Sequence, residues 1–457
     1  MRNIFFLSLL ILMLGCRQNM PESDFTAAKA SAYFSKVEEI CKLDNGSMWG
    51  KNLYGPIMYV ETETRRIYAN QQDSMGLLKH KDGIYTGLYP NELVIMNSPV
   101  VYGGTKYAMV NMRPDLDEKR VLGWTIHVLY HSFQNLKTDE STFSSLRRMD
   151  EYDARLWIKL EWKALRKAVN NNDDERCTIR DALVFRYTYR ELYNAAFTNE
   201  LNLLETSEGL ASFTDHFFTS ASPEEMNSRI NDLMDWIYNI PSYSAVYGNI
   251  TGAMYANLLH KAGYDFKNLP EGPVDLGKIV CEVYNINLPE ICRDVAGSLA
   301  LCYDLPQITN EEQERAIMIK ERLHKLTEKY TEKPVVYLEL EDPSFDFKPE
   351  EIQPLDTLGI LYGSIRVSDN WGKLTVDKGG CLVSGNFGFL RVTAKGFRYS
   401  KNRISGEGWS LFLNQGWELV EVNDSYFLRQ QTAPITLGES LDPNPASVFQ
   451  FSLPLFQ

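Results

Sequence analysis

Hydrophobic periodicity changes twice along this chain, and those changes constrain its fold more than any other feature. From Tyr54 to about Met112 apolar residues tend to alternate, as in PIMYVETETRRIYAN (56–70), with many β-branched and aromatic types. That pattern predicts strands packed on one sheet, with Asp82-Gly83 marking a turn. From about Asp115 to His324 the spacing becomes helical, and RMDEYDARLWIKLEWKALRKAV (148–169) is strongly amphipathic. From Val335 to Gln457 alternation returns among prolines and glycines. The expectation is an α+β fold: a small antiparallel sheet, a helical region and a C-terminal all-β domain.

Local signals refine this outline. Asp115 with Glu118 three residues later approximates a capping box for the first helix of the block. A break is expected near Thr206-Ser207, and Thr309-Asn310-Glu311-Glu312 is expected to open the last helix, which stops before Pro334. GWSLFLNQGWELVEV (408–422) predicts a hairpin around Asn414-Gln415-Gly416, with Trp409, Leu411 and Leu413 on one face.

The N-terminus predicts export. Arg2 gives a positive start, Ile4–Leu14 is an unbroken apolar run too short for a permanent span, and Met13-Leu14-Gly15-Cys16 follows. This resembles a bacterial lipobox, which implies a lipid on Cys16 and a membrane anchor in the cell envelope, on the periplasmic or surface side of the outer membrane. The expected division is a signal peptide (1–16), a tether with a helix (17–53), a main domain (54–333) and a β-domain (334–457). A net charge of −13 argues against nucleic acid as a partner. Six cysteines follow Cys16 without dense spacing; an oxidising compartment permits disulfides, for example among Cys281, Cys292 and Cys302.

Chemistry concentrates in TIHVLYHSFQ (125–134). His127 and His131 stand four apart, so on a helix both imidazoles leave one face and can reach one metal ion. Alone the spacing is a weak signal, since two helix histidines hydrogen-bonded to neighbours show it too. His80, His216, His260 and His324 have no evident partner in the sequence.

A second segment, LETSEGLASFT (204–214), lies downstream on another expected helix. A histidine helix followed by such a glutamate segment resembles the gluzincin zinc metallopeptidases, and more closely a poorly characterised group of secreted bacterial gluzincin-like proteins. LEWKAL (160–165), DALVFR (181–186), YGNITGAMY (247–255), WGKLTVDKGG (371–380) and GEGWSLFLNQGW (406–417) also fit, and the likeness covers roughly residues 55–430. The resemblance implies zinc as cofactor, with His127, His131 and Glu208 as ligands. Glu205, one turn earlier, competes with Glu208 for that role.

The departure from the family is at position 128. Such peptidases carry HExxH, whose glutamate takes a proton from zinc-bound water and returns it to the leaving nitrogen. This chain has Val128, which can do neither. General acid–base catalysis is worth about 10²–10⁴-fold, so the resemblance implies an impaired peptidase that binds zinc and an extended peptide, with no catalytic residue assigned. The peptide is expected to add to the edge of the strand Tyr107–Met112. Two alternatives stay open: an active zinc peptidase with a substitute base such as Glu205, and a metal-free structural or ligand-binding surface lipoprotein. Tyr243 and Tyr247 are weak matches to an oxyanion-stabilising tyrosine and fit ring packing better. Glu161 and Arg186 read best as an ion pair between helices.

Overall fold

The computed structural model describes residues 25–91, 93–134, 146–170, 174–244, 246–347, 351–355, 358–422 and 424–430. The expected export signal and Cys16 lie outside them. The chain divides into two compact units, one ending at Gln313 and one beginning at Glu314.

The first unit begins with α1 (Ala27–Asp44) and six strands: β1 (Ile57–Glu61), β2 (Arg66–Ala69), β3 (Lys79–Lys81), β4 (Ile84–Leu88), β5 (Ser98–Tyr102) and β6 (Thr105–Met112). They form one sheet in the order β3-β4-β2-β1-β6-β5. β1 and β6 run parallel, with Ile57 opposite Ala108, and the other pairs are antiparallel. The sheet is therefore mixed, not antiparallel as expected. The intervening residues 62–104 are long enough for the crossover that a parallel pair requires. β6 is consequently interior, and the edge beside it belongs to β5. This corrects the expectation that Tyr107–Met112 offers a free edge.

β1 is buried throughout because both faces of the sheet are covered. Ile57 and Tyr59 pack into the main helical core, while Met58 and Val60 join Ile67, Tyr107 and Met109 in a smaller core on the opposite face. Successive side chains on a strand point to opposite faces, and here both faces are dry.

Ten helices follow among the described residues: α2 (Glu118–Gln134), α3 (Tyr152–Asn170), α4 (Glu175–Arg190), α5 (Ala195–Leu204), α6 (Leu210–Thr219), α7 (Pro223–Tyr238), α8 (Tyr247–Lys261), α9 (Leu276–Val283), α10 (Arg293–Ala300) and α11 (Leu305–Thr327). The α2 cap falls at Asp117, two residues after the expected Asp115, because the Asp117 carboxylate accepts the Arg120 N–H at 2.8 Å. α11 opens after Asp304, a residue in the left-handed conformation, so Thr309 lies inside the helix. The acids of the expected capping box serve packing instead. Glu311 and Glu312 meet Lys159 at 3.0 and 2.9 Å, and Glu312 also meets Arg155 at 3.2 Å.

The second unit contains β7 (Val335–Glu339), β8 (Ser344–Phe347), β9 (Ile352–Pro354), β10 (Ile360–Tyr362), β11 (Ile365–Asp369), β12 (Gly372–Val376), β13 (Cys381–Val383), β14 (Phe389–Thr393), β15 (Arg398–Ser400), β16 (Arg403–Gly406), β17 (Trp409–Leu413), β18 (Trp417–Val422) and β19 (Ser425–Gln430). Two sheets result, ordered β18-β19-β7-β14-β13-β10-β9 and β15-β16-β17-β12-β11-β8. Val336, Leu338 and Val392 from one sheet share a core with Val367, Leu374 and Leu411 from the other. Trp409, Leu411 and Leu413 are buried together, as expected. The expected hairpin, however, does not form. β17 already pairs with β12 and β16, so the chain leaves that sheet and β18 pairs with β19 in the other.

The six cysteines Cys41, Cys177, Cys281, Cys292, Cys302 and Cys381 are free, so the suggested bridging among Cys281, Cys292 and Cys302 is not realised. Among the described residues no helix is long and apolar enough to cross a membrane.

Candidate metal centre

The histidine helix is fixed by its apolar side. Val121, Leu122, Thr125, Ile126, Val128, Leu129 and Tyr130 are buried, a stripe that seats α2 on the sheet. Thr125 Oγ1 lies 3.1 Å from the Tyr59 hydroxyl of β1. At the far end Lys106 of β6 donates to the Ser132 carbonyl, where a cation suits the helix C-terminus. His127 and His131 leave the side that faces α6.

The glutamate segment is not a break but a π turn, Glu205–Gly209, continuous with α5 and α6. Such a turn adds a residue to the helix and rotates the segment after it. Three contacts hold it. Glu205 is fully buried and accepts from Arg186 at 2.7 Å, from Arg190 at 3.0 Å and from the Tyr247 hydroxyl at 2.8 Å. Glycines let α8 touch its backbone: a Cβ on Gly209 would lie 2.4 Å from Gly252 Cα, and one on Gly248 would lie 2.4 Å from the Leu204 carbonyl oxygen. This close approach brings Asn249 to Glu208, at 3.5 Å.

With both elements fixed, the ligand atoms of His127, His131 and Glu208 fall within 4.8 Å of one another, a set able to hold a metal ion. The two Nε2 atoms are 3.1 Å apart, His127 Nε2 lies 3.4 Å from Glu208 Oε2, and His131 Nε2 lies 3.5 Å from the other carboxylate oxygen, Oε1. The three side chains are 16, 17 and 35% exposed, so the donors are shielded but reachable.

Asp215, which no motif singles out, completes the site together with His216, which has no evident partner in the sequence. Asp215 Oδ2 lies 3.1 Å from His127 Nδ1, while its other oxygen lies 2.7 Å from His216 Nδ1. His216 Nδ1 also lies 2.7 Å from the Ser212 carbonyl oxygen. The available signal was spacing, since Asp215 comes seven residues after Glu208, about two helical turns. A carboxylate on the outer nitrogen fixes a ligand imidazole's tautomer and orientation.

Electrostatics bind the cluster together. Burial opposes charging of His127, but hydrogen bonds and charge from Asp215 and Glu208 outweigh it and raise its pKa to about 9. Burial pushes Glu208 up, yet its bonds to both histidines hold it well below the usual carboxylate range. Asp215 is likewise buried, and His216 and His127 bring it down to about 2.

The remaining candidates have other duties. Glu205 bonds Arg186, Arg190 and Tyr247 and is not among the three residues whose ligand atoms converge. Tyr247 bonds Glu205, and the Tyr243 hydroxyl donates to the Tyr238 carbonyl at 2.7 Å beneath the Arg155 guanidinium. Both tyrosines are fully buried, which agrees with ring packing. Glu161 pairs with Arg186 at 3.3 Å between α3 and α4. Val128 has no exposed surface and belongs to the main core. A carboxylate there would be buried at a cost of several kcal/mol unless paired. Compared with known proteins, the chain matches no family model, and neither a curated protein nor a solved structure resembles it significantly.

Proposed function

We propose that this chain is a lipid-anchored, gluzincin-like protein that binds zinc through His127, His131 and Glu208 and is impaired as a peptidase. The observation that carries this reading is the donor spacing. Tetrahedral zinc with ligands at about 2.0–2.1 Å places its donors about 3.4 Å apart. Here the two Nε2 atoms stand at 3.1 Å, the two Glu208 oxygens each meet one imidazole, at 3.4 and 3.5 Å, and one donor atom from each residue lies within 4.8 Å of the others. Two imidazoles and one carboxylate also form a typical catalytic donor set, one that leaves a coordination position open. Bound zinc would supply polarisation of a carbonyl or of water.

Asp215 orients His127, and the π turn aims Glu208. Val128 neither accepts nor returns a proton, and Glu205 is held by arginines, so the chain has lost its expected base and one named replacement. An extended peptide would meet the edge of β5, where Val101 is 72% exposed and Pro99 removes one backbone donor.

Metal analysis of the purified full chain tests the proposal. About one zinc per chain is expected, falling strongly in His131→Ala and Glu208→Ala, together with little chelator-sensitive hydrolysis of a mixed peptide library. Wild-type chain that takes up no zinc, or variants that retain it fully, would refute the site. Vigorous chelator-sensitive hydrolysis would refute the impairment.

A further inference from the structure

In a chain of net charge −13, one cleft of the second unit carries the opposite sign. Lys325, Lys329, Lys333, Lys378 and Lys395 line a space of about 780 Å³. Three separate segments bring them together. The end of α11 and the turn after it supply the first three, the β12–β13 loop supplies Lys378, and the stretch after β14 supplies Lys395.

Among the described lining residues two acids, Glu328 and Glu407, face these five cations, an excess of three positive charges. Lys333 pairs with Glu328 at 2.9 Å and Lys395 with Glu407 at 2.8 Å, both in exposed positions. Such exposed pairs are weak and exchange partners readily. Lys329 donates to the Gly379 carbonyl, and Lys325 and Lys378 have no acidic partner among the described residues. Burial holds Lys329 below the usual lysine range, with Glu407 pulling against it and Lys395 adding to it.

Charge and size together point to the kind of anion that fits. No arginine is among the described lining residues, so the cleft holds anions through ammonium groups and not through the planar fork that grips carboxylates and phosphates alike. Lysines act as mobile point charges, which suit tetrahedral phosphate. A phosphate monoester carries about −1.5 to −2, so two such groups balance the excess charge. The volume lies within the range of about 300–1,000 Å³ found for small-molecule sites. We propose that this cleft binds a ligand carrying two phosphate groups, such as a diphosphate, with Lys325, Lys329 and Lys378 as its principal contacts.

Calorimetric titration of the full chain with inorganic pyrophosphate, orthophosphate and geranyl diphosphate tests this. Saturable binding of pyrophosphate is expected, about tenfold tighter than orthophosphate and weakened about tenfold in the double variant Lys325→Gln/Lys378→Gln. Both lysines are exposed, so an unchanged thermal melt should accompany that loss. Tighter binding of geranyl diphosphate would mark a lipid-linked diphosphate, and equal binding a soluble one. Pyrophosphate captured by metal at the histidine site would survive the lysine substitutions and disappear in His131→Ala. The proposal is overturned by three results: no saturable binding, equal affinity for orthophosphate, or affinity unchanged in the lysine variant.

Discussion

In the metal-free chain a protonated His127 faces Asp215 at Nδ1 and Glu208 at Nε2, and this makes the site sensitive to pH from both sides. A histidine whose pKa is raised from 6.5 to about 9 contributes stability fully below 6.5 and loses it as pH rises through 9. Asp215 and Glu208, both depressed, contribute above their ordinary values of 3.8 and 4.5 and lose that contribution as pH falls toward 2. The cluster therefore stabilises the metal-free fold most between about pH 4.5 and 6.5. Calorimetry of the chelated chain should show its melting temperature falling from pH 6.5 to 9, and less steeply in His127→Gln. An equal fall in that variant would remove His127 as the cause. Metal loading at neutral pH would have to displace this proton.

At the scale of elements, the site depends on a π turn that no periodicity reveals. The turn persists because Arg186 and Arg190 clamp Glu205 from one side while Gly209, Gly248 and Gly252 admit α8 from the other. Gly252→Ala would place a Cβ 2.5 Å from the Glu205 carbonyl oxygen and 2.7 Å from Gly209 Cα, forcing α8 away. A loss of about 1–3 kcal/mol is expected in denaturant titration, together with weaker zinc binding in competition assays. Gly297→Ala, in α10 with nothing within 4 Å, should be neutral or stabilising by up to about 1 kcal/mol. Equal zinc affinity in Gly252→Ala and wild type would mean that the turn does not aim Glu208.

At the scale of the whole molecule, the two units carry separate cores, and the metal centre belongs to the first. Chelation should lower only one of two calorimetric transitions. A metal held at about a hundredfold above its dissociation constant contributes about 2.7 kcal/mol, so a shift on the order of 5 °C is expected. His131→Ala should reproduce that shift without a chelator, and movement of both transitions would argue that the units unfold together. Much of this organisation was legible in the chain: the α+β class, the change to strands after α11, the shared face of Trp409, Leu411 and Leu413, and the i, i+4 histidines. These are local or periodic properties, written in neighbouring residues. What tertiary structure alone decided was pairing across distance. It made β6 an interior strand, sent β18 to the second sheet, gave Glu205 to the arginines and Glu208 to the histidines, and brought Asp215 to His127. Each of these outcomes depends on which surfaces meet, and contacts between residues tens of positions apart leave no period in a sequence.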